Sequence, residues 1–398
     1  MKILMITPYL PYPLVSGGQI RSYNLLKYLA EKHQITLVSF IRKEEEKKYI
    51  PQLGDFCKDV KVVLRRKAWS PVNILLSGFS YFPFLIAIYY SLEAKRIVSE
   101  LLSEEDFDLI HAETFYVMPI IPKTKVPIIL VEQTVEFLVY AHFVQSTRFL
   151  PLKILLAYDV LKIKFWEKHF WQKAKMVIAM SEADKKVMKK EIPDLDVDVV
   201  PNGVDSDFFS KTSPKKSKIP TVLFVGNFKW LQNREAVEFL VSKIWPKILN
   251  KIPRTKLWVV GRNPTESVRK LAIKNKVIID DKVNNIRDAY SKSDVLLAPI
   301  FGPGGTRFKI LEAMSSGLPV VTTNTGIEGV PAKNGRDVVI CDDPQSLAEA
   351  AIKLLTSENL SQQLSKNARE LVNKNFSWFK ISQTLDEVYR EVSIEKKS

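Results

Sequence analysis

The feature that most constrains this chain is a rhythm: short, β-rich apolar runs alternate with stretches of helical spacing, and the pattern runs through two cycles. In the first half the runs fall at residues 2–6, 35–40, 61–64, 108–112, 127–132, 176–180 and 197–200. Between them the apolar positions take helical spacing, as at Leu25, Leu26 and Leu29, or Ile97, Val98, Leu101 and Leu102. Near-continuous apolar runs suit strands covered on both faces, and the intervening helices supply that cover. The pattern therefore predicts an α/β, doubly wound parallel sheet.

A turn signature, Pro201-Asn202-Gly203-Val204-Asp205, and a polar, lysine-rich stretch over 210–218 interrupt the rhythm. It then restarts, with runs at 221–225, 256–260, 276–280, 294–300, 319–323 and 337–341. At 398 residues the chain is too long for one ordinary core. Two Rossmann-like domains facing across a cleft are expected, at 1–203 and 204–376, with a final helix in 377–398 returning to the first.

Charge narrows the partners. The 59 basic and 44 acidic residues leave a net +15, which calls for an anion: nucleic acid, anionic lipid or a phosphorylated small molecule. No zinc spacing, RNA-binding motif or helix-turn-helix accompanies the charge, so nucleic acid is disfavoured. The two cysteines, Cys57 and Cys341, read as free thiols of a reducing cytoplasm. Residues 1–6 are too short an apolar run before Thr7-Pro8 for a secretory signal to be expected.

In open parallel sheets, ligands bind beyond the carboxyl ends of strands, where loops lead into helix N-termini. Ser16-Gly17-Gly18 follows the first run and precedes a helix, so its amides could approach an anion. The dinucleotide pattern Gly-x-Gly-x-x-Gly is absent there, which disfavours hydride transfer. A fuller signal is Ala298-Pro299-Ile300-Phe301-Gly302-Pro303-Gly304-Gly305-Thr306-Arg307-Phe308-Lys309-Ile310-Leu311-Glu312-Ala313-Met314. A strand ends, a glycine-rich loop turns, and a helix is predicted to begin near Thr306. The Gly304 and Gly305 amides and the Thr306 hydroxyl could cradle phosphate, and Glu312 could accept from a ribose diol. The plainer alternative makes Glu312 a solvated partner of Lys309. Asp280-Asp281 and Asp342-Asp343 each end a predicted strand without further ligands, so no metal site is expected.

These residues resemble glycosyltransferase family 4, the group 1 transferases of the GT-B fold. The resemblance rests on Ser16-Gly17-Gly18, on Val200-Pro201-Asn202-Gly203-Val204-Asp205, on Leu223-Phe224-Val225-Gly226, and above all on Lys309-Ile310-Leu311-Glu312-Ala313-Met314 with Gly317-Leu318-Pro319-Val320-Val321. It implies transfer of a hexose from a nucleotide-diphosphate sugar to a glycan or lipid-linked acceptor, with retention at the anomeric carbon and with neither metal nor cofactor. It also implies front-face substitution, in which the leaving phosphate can take the acceptor's proton. Glu312 matches the second glutamate of the family's Glu-x7-Glu motif, the one that holds the donor ribose. The first falls at Gly304, so backbone amides are expected to meet the sugar there. The basic pair that usually follows the Phe-Val-Gly strand is altered, which leaves Lys229 as the diphosphate candidate, followed by Arg307 and Lys309. Where the family often carries a histidine on the acceptor side, this chain has Gln133. His111, at a predicted strand end, is expected to face the cleft and take a catalytic part, with Glu113 and Glu136 as weaker candidates.

Two segments suggest a membrane-bound acceptor. Residues 74–90 are aromatic and aliphatic, though interrupted by Gly78 and Pro83. Residues 148–175 hold seven Lys/Arg against two acidic residues, interleaved with Phe165, Trp166, Phe170 and Trp171. Over 152–175, Lys162, Lys164, Lys168 and Lys173 are expected to attract an anionic membrane surface, the plainer alternative being a helix packed on the sheet. The expected location is the cytoplasm, with peripheral attachment at the inner face of the membrane. Two other functions fit the same motifs: a non-catalytic nucleotide- or glycan-binding protein, and a sugar-nucleotide epimerase.

Overall fold

The computed structural model describes residues 1–211, 219–274 and 277–394. They divide into two compact units, Met1–Pro201 with the chain from Ile381 onward, and Asn202–Lys380. From Thr212 on, the predicted linker at 210–218 lies outside the described residues, as does Lys276 in the predicted strand at 276–280.

The first unit holds seven parallel strands: β1 (Lys2–Thr7), β2 (Gln34–Ile41), β3 (Asp59–Leu64), β4 (Leu109–Glu113), β5 (Ile128–Val131), β6 (Met176–Ala179) and β7 (Val197–Val199). Their order is β3-β2-β1-β4-β5-β6-β7. All five residues of β4 are buried, with no alternation, as befits a central strand covered on both faces. One face packs Leu4, Ile6, Val38, Ile110 and Leu130 against Phe115 and Trp171. Each such side chain contributes about 1.5–3 kcal/mol by leaving water.

The second unit repeats the design with β8 (Thr221–Val225), β9 (Lys256–Val260), β10 (Ile278–Asp280), β11 (Val295–Ala298), β12 (Val320–Thr322) and β13 (Val339–Ile340). These are parallel, in the order β10-β9-β8-β11-β12-β13. Winding reverses once in each sheet, between β1 and β4 and between β8 and β11. Loops leaving such a pair diverge to opposite faces and open a crevice at the carboxyl edge.

The last helix, Trp378–Ile394, starts in the second unit and belongs to the first from Ile381 onward. There Asp386 accepts from Lys32 at 3.0 Å and meets His33 at 2.8 Å. Among the described residues no helix is long and apolar enough to cross a membrane. The aromatic segment at 74–90 forms two short helices, Pro71–Phe79 and Phe84–Tyr89, the second burying Ile86 and Ala87.

The basic segment does form a long helix, Leu150–Lys173, and of the four lysines expected to attract lipid, three are engaged by the protein itself. Lys162 donates to the carbonyls of Ser77 (2.5 Å) and Phe82 (3.1 Å), while Lys164 and Lys168 share Glu191 at 2.7 and 3.0 Å. The sequence shows their charge but not these long-range partners.

Candidate functional site

In the second unit the predicted residues gather at the β8/β11 reversal. The loop after β11 turns through Gly304 (φ +135) and Gly305 (φ +49), backbone values that favour glycine. The helix behind it is Phe308–Ser316, with Arg307 at the N-cap. It therefore starts two residues later than predicted, because Arg307 is extended (φ −89, ψ 110). The Arg307 guanidinium folds back to donate to the Gly302 carbonyl at 2.7 Å and lies across Gly304, where a Cβ would stand 2.8 Å from it. Gln232 pins the same loop by donating to the Pro303 carbonyl at 3.0 Å. At the far end Gly317 takes φ +73, and a Cβ there would also meet the Arg369 guanidinium.

Lys309 reaches across to the β8 side. Its ammonium donates to Asn233 Oδ1 at 2.5 Å and lies 4.5 Å over the Phe224 ring. Burial, then the neighbouring Arg307, pushes Lys309 down to about 7, with Glu312 opposing the shift. Asn233 in turn donates to the Asn227 carbonyl at 2.8 Å, tying both loops together. Glu312 does not form the surface pair with Lys309 that the plainer reading foresaw. It accepts from the Tyr290 hydroxyl at 2.7 Å, and burial raises its carboxyl despite that bond. Lys229 stands exposed on the loop after β8, where its backbone N–H donates to Asn227 Oδ1. Thr306 is buried, and its carbonyl accepts from Asn202 at 3.2 Å. That gives the Pro-Asn-Gly turn a purpose: Asn202 braces the glycine loop, while Gly203 lies so close to the Trp378 ring that a Cβ would come within 2.7 Å.

The arrangement offers an anion one half-buried ammonium, one guanidinium, one exposed ammonium and the amides of a glycine turn, with a carboxylate about one turn down the helix. The paired aspartates do other work. Asp343 caps a helix through the Gln345 and Ser346 amides, Asp342 accepts from Asn324, and Asp281 pairs with Arg269. Asn233, Asn227 and Tyr290 were missed, since nothing local marks an asparagine or a tyrosine as a partner for a distant charge.

In the first unit the β1/β4 reversal holds a buried polar network. Gln133 donates to the Tyr9 hydroxyl and to Glu113 Oε2 at 3.0 Å. Gly17 opens the helix Gly17–Leu29, capped by Ser16. Gly18 packs tightly against its neighbours: a Cβ there would run into the Tyr9 hydroxyl and the Gln133 side-chain amide, which requires glycine at this position. The expectation for His111 is corrected. It sits within β4 between Met5 and Ile129, is 0% exposed, and meets the Tyr389 hydroxyl at 2.5 Å and Glu113 at 3.5 Å. It does not face open space; it joins the last helix to the sheet. Burial pushes the Glu113 carboxyl up, but His111, Arg21 and Gln133 together hold it below its usual range. Glu136, at the start of the helix Glu136–Ser146, is pushed up to about 7 by burial.

Known proteins match along the same lines. Residues 15–208 match the family model for glycosyltransferase family 4, and residues 219–357 that for group 1 glycosyl transferases. A Klebsiella pneumoniae protein described as an uncharacterized 44.6 kDa protein in the cps region is 22% identical over 96% of this chain and 98% of its own. The Escherichia coli UDP-Gal:alpha-D-GlcNAc-diphosphoundecaprenol alpha-1,3-galactosyltransferase is 24% identical over 55% of this chain and 61% of its own. Sucrose-phosphate synthase from Thermosynechococcus elongatus shares the fold, with a TM-score of 0.73 and 17% identity over 98% of this chain and 99% of its own.

Proposed function

This chain belongs to the group 1 glycosyltransferases, and we propose that it moves a hexose from a nucleotide-diphosphate sugar to a glycan or lipid-linked acceptor, with retention of configuration. The observation that carries this is the cluster of Arg307, Lys309 and Glu312 behind a left-handed glycine turn at the β8/β11 reversal. As the anomeric C–O bond to the diphosphate breaks, negative charge grows on the leaving phosphate. The Lys309 ammonium, Arg307, Lys229 and the loop amides meet that charge. The acceptor hydroxyl attacks from the same face and passes its proton to the leaving oxygen, a route that needs no histidine at position 133. The E. coli relative, whose name gives a UDP-sugar donor and a lipid diphosphate acceptor, supports this substrate class. The cytoplasm, with peripheral attachment at the inner face of a membrane, is part of the same reading.

Glu312→Ala should weaken nucleotide-sugar binding by about 1.5–3 kcal/mol, the loss of a charged acceptor for ribose. Glu312→Gln keeps an acceptor for Tyr290 and controls for the fold. Calorimetry with UDP-, GDP- and dTDP-sugars checks this, and unchanged affinity in a folded Glu312→Ala protein removes the residue from the site. Assaying sugar release with and without acceptor separates a transferase from an epimerase and from a protein that only binds.

We also propose that no metal takes part, because basic side chains and amides meet the phosphate. Activity in excess EDTA should stay within about twofold of the untreated value, whereas a loss restored by magnesium or manganese would overturn the assignment.

A further inference from the structure

The first unit carries an apolar face that the proposed reaction does not use. Residues 150–161 of the long helix are almost entirely apolar, with one lysine (Lys153) and one aspartate (Asp159). Leu150, Ile154, Tyr158, Leu161 and Phe165 recur at helical spacing and are each 58–66% exposed. An apolar stripe of that period normally faces a core; this one faces outward.

A second element lies beside it. Ser77 of the helix Pro71–Phe79 bonds to Asp159, and Trp166 donates to the Tyr81 carbonyl at 2.7 Å. This neighbour exposes Trp69, Ile74, Leu75, Phe79 and Tyr81, the aromatics at 78–89%. Fifteen of the twenty-six large apolar side chains exposed among the described residues fall within 69–81 and 143–165. Exposed apolar residues scattered singly need no explanation, but a concentration of this kind does.

We infer that this face inserts into the interfacial layer of an anionic phospholipid bilayer and seats the first unit on the membrane. Charge selects the occupant. Of the basic residues within 143–165, Lys162 and Lys164 are engaged by the protein itself, which leaves Arg148 and Lys153; 69–81 holds none and Lys67 stands just before it, while the acidic Asp159 is turned inward to the Phe84 amide. A twofold contact with a second copy would set like charges against each other, whereas anionic headgroups complement them. Tyrosine and tryptophan beside aliphatic residues also match the headgroup boundary. With Lys162, Lys164 and Lys168 already paired within the protein, apolar insertion is the main source of binding. The inference does not depend on the donor site.

The full-length chain is mixed with vesicles of phosphatidylglycerol and phosphatidylcholine, and binding is read by sedimentation at low and high salt. The wild type should pellet, keep a substantial part of its binding in high salt, and show tryptophan quenching by brominated lipid. Ile154→Ser/Leu155→Ser/Leu161→Ser and, separately, Phe79→Ser/Tyr81→Ser should each lower the vesicle partition coefficient at least tenfold. Both alter exposed side chains, so melting temperature and nucleotide-sugar affinity should stay unchanged. Absence of wild-type pelleting overturns the inference. So does a wild-type dimer that these substitutions dissociate without any change in vesicle binding. Loss of donor binding in the wild type would instead count against the proposed reaction alone.

Discussion

Replacing Lys309 by methionine should lower kcat/KM for sugar transfer by about 10²–10³-fold, because a preorganised cation facing a developing phosphate charge is worth that much. The pH profile gives the sharper test. Burial and Arg307 push Lys309 down to about 7, and a bound diphosphate would favour the charged form. Binding should therefore take up a proton above pH 7, and affinity should fall as pH rises, approaching tenfold per unit. Fold stability should move oppositely. Between about 7 and 10.5 an unfolded Lys309 binds a proton that the folded one does not, so that contribution to stability grows with pH. Lys309→Arg keeps the charge and should flatten the binding profile. Calorimetry in buffers of different ionisation enthalpy reads the proton uptake directly. Equal pH profiles for wild type and Lys309→Arg would remove Lys309 from the phosphate site.

Arg21→Met should destabilise the first unit by roughly 3–5 kcal/mol, the cost of breaking a buried charge pair from one side. Arg21 is 0% exposed, donates to the Pro201 and Val200 carbonyls at 2.7 and 3.0 Å, and helps hold Glu113 ionised. For a unit of this size, each kcal/mol lowers the melting temperature by about 2–4 °C. Arg21→Lys should recover only part of the loss, since a single ammonium lacks the forked geometry that serves both carbonyls. Glu113 sits below its usual range when folded, so its contribution is present above 4.5 and is lost as pH falls through the folded value. Without Arg21 that acid-side loss should begin at higher pH. Urea unfolding across pH 3–7 checks both arms, and a change under about 1 kcal/mol at neutral pH would mean the network carries no such weight.

The alternation of elements and the place of the glycine loop were legible in the sequence, because both are local: apolar runs mark strands, and left-handed backbone demands glycine. Lys309, Glu312 and Arg307 were legible too, through their place behind that loop. What tertiary structure decided is which groups these side chains meet. His111 reads as a strand residue, but only the last helix, 278 positions away, decides that it is buried against Tyr389. Lys162, Lys164 and Lys168 read in sequence only as charge, and the fold alone brings them to Ser77, Phe82 and Glu191. Periodicity and turn chemistry are written over a few neighbouring residues. Desolvation and partner choice depend on segments that only folding brings together, and so the apolar face at residues 150–161 shows its outward aim only in three dimensions.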